Sequence, residues 1–191
     1  MEQYQLTSTA RLSLLSGDIT EWTGDAIVNA ANQAMLGGGG VDGAIHKVAG
    51  PGLLAACRQV PESRPGIRCP TGEARITTAG GGGLRVPWVI HAVGPVYRDA
   101  RTSAPLLAST YTRVLELACC NALTRIAFPA ISCGVYGYPL DEAAVIALET
   151  CQLRAGTLHE VAFVLFGPDA WQAFKQAADD RLTPLSPLTL L

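Results

Sequence analysis

The chain has 191 residues, 14 of them Lys or Arg and 16 Asp or Glu, for a net charge of −2. A chain of that length can bury roughly 70% of the surface its unfolded form exposes, so one domain needs no disulfide or metal staple. No run of Lys or Arg tracks a phosphate backbone, which argues against polymeric nucleic acid as the main partner. The six cysteines form no C-x-x-C pair, and no His lies at zinc-ligand spacing. No long apolar stretch and no basic-then-apolar leader occurs, so a cytoplasmic protein with reduced thiols and no membrane contact is expected.

Residues 1–10 are polar and without periodicity. A first strand is expected over 11–15, ending in Ser16-Gly17. Asp18 follows it directly, and its carboxylate can cap the turn through Ile19 and Thr20. Ala26-Ile27-Val28 is long enough only for a buried strand, and the change to Asn29 and Asn32 sets two amides where that strand ends. Ligands of α/β folds bind beyond strand ends.

Gly37-Gly38-Gly39-Gly40 come next. Four glycines in a row give up side-chain packing and cost backbone entropy, which is intelligible if something must approach the main chain closely. Their N–H groups can then face a phosphate. Val41, Ala44, Ile45 and Val48 share one helical face, so the loop leads into a helix N-terminus whose dipole also favours an anion. Asp42 sits in that first turn, either as the cap or as a working carboxylate. His46 is four residues on along the same face, as an ordinary half-buried imidazole or as part of a site.

Pro51-Gly52 interrupts the helical pattern, 53–59 is a second amphipathic piece, and 74–78 is a short β-branched strand. A second glycine run, at 80–83, leads into no helix and has no Asn or Asp beside it. It is read as a hairpin or surface loop. Residues 86–93 form a central strand buried on both faces, with His91 as a satisfied core histidine. A polar loop is expected over 97–104, and Leu107, Thr110, Tyr111, Val114, Leu117 and Ala118 mark an amphipathic helix.

Residues 125–129 give another inner strand, followed by a loop over 131–138. Gly134 and Gly137 leave room there for a diphosphate, Ser132 offers a hydroxyl and Tyr136 a flat wall. A nucleophilic Cys133 would need a base to form thiolate, and no His presents itself as that partner. Asp141 and Glu142 open a helix with Ala144, Leu148 and Cys151 on its buried side. The last strand is 161–166, a closing helix runs to about Asp180, and 181–191, with five leucines, packs back or meets another subunit. Alternating strands and helices argue an α/β fold.

Three runs resemble the signature of the macrodomain family, in its MacroD-type branch of ADP-ribose-processing enzymes. They are Gly17-Asp18-Ile19-Thr20, Val28-Asn29-Ala30-Ala31-Asn32, and Gly37-Gly38-Gly39-Gly40-Val41-Asp42-Gly43-Ala44-Ile45-His46. A fourth, Phe128-Pro129-Ala130-Ile131-Ser132-Cys133-Gly134-Val135-Tyr136-Gly137-Tyr138-Pro139, follows much later in the expected order. The resemblance implies a three-layer α/β/α macrodomain sandwich over 11–180, with a mixed, largely parallel sheet of about six strands and terminal extensions at 1–10 and 181–191.

It also implies a substrate site. Asp18, beside Ile19, would accept from the adenine amino group and Phe166 would stack on the ring. Gly38, Gly39, Gly40 and Val41 on one side, and Ser132, Cys133, Gly134, Val135 and Tyr136 on the other, would enclose the diphosphate. Asn29 would prop the loop, with His46 close by. Asn32 and Asp42 would be the catalytic pair at the distal ribose, Asp42 as base for a water and Asn32 orienting the hydroxyls. The implied activity is release of ADP-ribose from O-acetyl-ADP-ribose, or another O-acyl-ADP-ribose, and from mono-ADP-ribosylated acidic side chains, with no cofactor or metal. A non-catalytic ADP-ribose-binding module is the competing class, and action on another phosphorylated nucleotide a third.

Overall fold

The structure is a computed structural model in which residues 1–185 are described. Eight strands form one sheet among the described residues: β1 (Glu2–Gln5), β2 (Arg11–Ser16), β3 (Ala26–Ala30), β4 (Ala74–Thr78), β5 (Trp88–Ala92), β6 (Arg125–Phe128), β7 (Glu160–Leu165) and β8 (Thr183–Pro184). Their spatial order is β4-β5-β3-β6-β7-β2-β1-β8. The run from β5 to β2 is parallel, and β4, β1 and β8 pair antiparallel at the two edges.

Both faces of the inner strands are apolar, which is why they read in the sequence as blocks rather than as alternation. Val28, Ile90, Ile126, Phe128, Phe163 and Leu165 pack with helices α3 (Ala100–Cys120), α4 (Leu140–Arg154) and α5 (Pro168–Asp179). Ile27, Val89, Ala127, Ala162 and Val164 face α1 (Gly40–Ala49) and α2 (Pro51–Gln59). The result is the expected three-layer sandwich. No helix among the described residues is long and apolar enough to cross a membrane.

Several local expectations are corrected. Residues 2–5 are a strand paired between β2 and β8; over residues 1–6 only Tyr4 and Leu6 are buried, too few for a period to show. Tyr4 is tied to α5 by a 2.7 Å hydrogen bond from its hydroxyl to Asp179. The sheet thus takes in residues on both sides of 11–180, and β8 extends it by the start of the tail. The rest of the tail, 186–191, lies outside the described residues. α3 begins at Ala100 within the segment read as a polar loop. Asp99 caps it by accepting from the Thr102 N–H at 2.8 Å, and its exposed polar first turn hides the period. On α1 the buried residues are Asp42, Ile45 and Ala49, while Val48 is exposed. That face is turned from the expected one so that a carboxylate points inward.

At the amino ends of the parallel strands, Arg11, Glu160 and Arg125 share one row across β2, β7 and β6. Glu160, buried, accepts from Arg11 at 3.1 Å, Arg125 at 2.8 Å and Ser13 at 2.7 Å. Burial alone would raise its carboxyl pKa; these donors outweigh that and hold it below the usual carboxylate range.

Candidate functional site

The opposite, carboxyl ends of the strands open into a cavity of about 610 Å³. That volume suits a small-molecule ligand. Because Ser16 pairs with Leu165 in register, the chain leaves β2 and β7 side by side, and Asp18, Ile19 and Phe166 all reach the cavity. Gly40, Val41 and Ala44 of α1 form another wall, Pro129, Ala130, Cys133 and Gly134 a third, and residues 167–170 at the start of α5 a fourth. Two helix N-termini therefore face one space. Gly39 caps α1 and Gly167 caps α5, neither with a side-chain hydrogen bond, so first-turn N–H groups remain available to an anion. Phe166 is 90% exposed, a large aromatic face with nothing of the protein upon it. One oxygen of Asp18 accepts from the Thr20 N–H at 2.9 Å and hydroxyl at 2.8 Å, so the turn cap and the cavity wall are one residue.

Beneath the glycine loop lies a second tier. Asn29 is fully buried, and its Nδ2 donates to Asp42 Oδ1 at 2.7 Å and lies 3.2 Å from His91 Nδ1. Asp42 is only 4% exposed. It stands in the first turn of α1 but is not the cap, which is Gly39. His46 Nε2 lies 3.5 Å from Asp42 Oδ1. Asn32, expected at the ribose, also holds its own loop. Its Nδ2 donates to the Gly37 carbonyl at 2.9 Å, and its Oδ1 accepts from the Ala34 and Met35 N–H groups at 3.1 and 3.2 Å. Gly38 runs directly over both side chains. A Cβ there would sit 2.9 Å from Asp42 Oδ2 and 3.2 Å from Asn32 Nδ2.

The loop across the cavity is tightly folded. Ser132 has φ of 66°, a left-handed conformation that is costly for a side chain. Its hydroxyl is buried against Gly94 and unpartnered, so it does not reach the cavity. Cys133 does, but burial pushes its thiol up to about 12, and its Sγ is 3.4 Å from the Ile131 carbonyl oxygen. At neutral pH it is a thiol, not a nucleophile.

Residues 28–147 match the profile of the Macro domain family. The chain belongs to the macrodomain family. It is 49% identical over 167 residues to a protein of Klebsiella pneumoniae named O-acetyl-ADP-ribose deacetylase, covering 85% of this chain and 93% of that protein. The Oceanobacillus iheyensis macrodomain solved with ADP superposes with a TM-score of 0.86 at 41% identity, covering 93% of this chain and 94% of the other. The Trypanosoma brucei macrodomain in complex with ADP-ribose gives a TM-score of 0.76 at 39% identity, covering 87% of this chain and 68% of the other.

In this macrodomain the residues singled out from the sequence fall into three groups. Asp18, Ile19, Gly40, Val41, Cys133, Gly134 and Phe166 line the cavity. Asn29, Asn32, Gly38, Asp42 and His46 form the tier under and within the glycine loop. Ser132, Val135 and Tyr136 do not line the cavity: Val135 is wholly exposed, and the Tyr136 carbonyl accepts from the Tyr97 N–H at 2.8 Å. Sequence reasoning missed the α5 start, His91 as the neighbour of Asn29, and Gly43. A Cβ at Gly43 would lie 2.7 Å from the Gly38 carbonyl oxygen, so this glycine lets the loop settle on the helix. The second glycine run has a similar use. It joins antiparallel β4 and β5, as expected of a hairpin, and Gly80 and Gly82 press their backbones onto the junction of α1 and α2.

Proposed function

We propose that this macrodomain binds ADP-ribose in the cavity and hydrolyses O-acetyl-ADP-ribose, and ADP-ribose esters of acidic protein side chains, to free ADP-ribose. The observation that carries the reading is the Asp42 carboxylate, held by Asn29 under the loop that two helix N-termini flank. Adenine stacks on Phe166 and donates to Asp18. The diphosphate takes the N–H groups of the α1 and α5 starts and of the Gly134 loop, which places the distal ribose by Gly38 and Asp42. The carboxylate takes a proton from water as that water attacks the ester carbonyl, and it returns that proton to the ribose oxygen as the acyl carbon–oxygen bond breaks, releasing the free acid and the ribose hydroxyl. The named activity of the Klebsiella pneumoniae relative supports the acetyl ester as substrate. The three buried, unpaired thiols Cys57, Cys69 and Cys151 fit the reducing cytoplasm as its location.

A binding module that does not cleave is the second reading, favoured by the near-complete burial of Asp42 and its absence from the cavity wall. Supplying O-acetyl-ADP-ribose and an acid-linked ADP-ribosylated protein to wild type and to Asp42→Ala separates the two. The hydrolase releases ADP-ribose, on the order of 10²-fold slower in the variant, with ADP-ribose binding retained by both. Tight binding and no release by wild type makes the protein a reader. Equal turnover by both proteins removes Asp42 from the chemistry.

A further inference from the structure

Asn29 and His91 are register partners on the neighbouring parallel strands β3 and β5, on the face covered by α1 and α2. Both are completely buried. Besides Asn29, the His91 ring faces the Thr77 hydroxyl and the Cys57 sulfur, which lies 3.5 Å from Nε2. Thr77 Oγ1 donates to the Thr78 carbonyl at 3.0 Å, which leaves its lone pairs free. His91 Nε2, 3.0 Å from that hydroxyl, carries the hydrogen and donates, with the Cys57 sulfur a second, weak acceptor; the other tautomer would set an Nδ1–H against the Asn29 N–H. His91 Nδ1 is left as an acceptor, and the group facing it at 3.2 Å is the Asn29 amide.

An acceptor on one side and a carboxylate oxygen on the other admit only the NH2 end of Asn29 between them. Turned over, the amide would set its oxygen against Asp42 Oδ1, at a position now 2.7 Å away. The cost of the observed arrangement is visible. Asn29 Oδ1 is buried without a partner, and such an acceptor is disfavoured unless its orientation is imposed from elsewhere.

We infer that His91 is a positioning residue of the site: as a neutral ring accepting at Nδ1, it fixes Asn29 as a double donor and so holds the Asp42 carboxylate in place. The inference rests on the role proposed above for Asp42. It assigns to a buried histidine on β5, outside the glycine loop and outside the cavity wall, a part in setting the carboxylate. Burial, and after it the neighbouring His46, push the His91 pKa down to about 3, so the accepting form is the one present in ordinary buffers. Protonation would put an N–H against the amide N–H and force Asn29 over.

Two amide substitutions divide the ring. In His91→Asn the side-chain oxygen can occupy the place of Nδ1 and accept from Asn29, whereas in His91→Gln the longer side chain reproduces only the Nε2 end toward Thr77. The expected result is a kcat about tenfold lower in His91→Gln, the worth of one ordinary hydrogen bond, with the Kd for ADP-ribose within about twofold of wild type. His91→Asn recovers most of that loss. The side-chain amide signal of Asn29 in a 15N-labelled protein gives a readout without turnover: shifted and faster-exchanging in His91→Gln, near wild type in His91→Asn.

Losses of kcat in both variants that simply follow their loss of thermal stability overturn the inference. So does a wild-type Asn29 signal in His91→Gln. Should wild type bind ADP-ribose but turn over no ester, the proposed hydrolase fails, and the two Asn29 signals still decide whether His91 sets the amide.

Discussion

Asn29 Nδ2 and Asp42 Oδ1 lie 2.7 Å apart inside the protein, joining the end of an inner strand to the first turn of α1. A carboxylate that is 4% exposed needs such a donor, because a buried charge left unpaired is expensive. Asn29→Ala should therefore lower stability by about 1–3 kcal/mol in denaturant melts and lower ester turnover more than tenfold. A variant as stable and active as wild type would mean that Asp42 does not depend on this contact.

Gly43→Ala separates stability from binding. Alanine is the better helix former by about 1 kcal/mol, but its Cβ would lie 2.7 Å from the Gly38 carbonyl oxygen and lift the glycine loop. The expected outcome is a melting temperature near wild type with ADP-ribose affinity down about tenfold by calorimetry. Unchanged affinity would show that the loop adjusts without harm to the site.

Phe166→Ala tests the open end of the cavity. The ring is 90% exposed, so its removal should change stability by no more than about 0.5 kcal/mol. If adenine stacks on it, affinity for ADP-ribose falls about tenfold, within the range of about 1–3 kcal/mol for stacking on an aromatic side chain. Ribose 5-phosphate, which has no base, should show no such loss.

The Glu160 row makes part of the fold's stability acid-sensitive. Its folded-state pKa is held below the ordinary 4.5, first against burial and then by Arg11, Ser13 and Arg125. A depressed carboxyl contributes stability that is complete above the unfolded value and is lost as pH falls through the folded one. Denaturation followed from about pH 6 to pH 3 should show that loss in wild type. Glu160→Gln should be less stable at neutral pH and flatter in acid; parallel curves for the two proteins would place the acid sensitivity elsewhere.

Much of this protein is legible along the chain. The apolar blocks at 26–28, 86–93, 125–129 and 161–166 mark inner strands because strands buried on both faces carry apolar residues at every position. The glycines before α1 and the polar residues just past β2 and β3 mark the ligand end for a similarly local reason: strand ends and helix starts expose backbone groups that only small or polar residues leave accessible. Strand β1 leaves no mark in the sequence because two inward residues make no period, and α3 hides its start because its first turn faces water.

What the chain by itself determined was therefore the set of elements and the polar groups offered at their ends. Which amide meets which partner was decided by the fold. Asn29 and Asn32 are the same residue type three positions apart, yet one reaches Asp42 and His91 while the other binds its own loop. The cause is strand register. β3 and β5 lie 62 residues apart at this point, and only their pairing puts Asn29 level with His91 and beneath α1. Hydrogen-bond partners across a sheet follow from that packing, not from any spacing along the sequence.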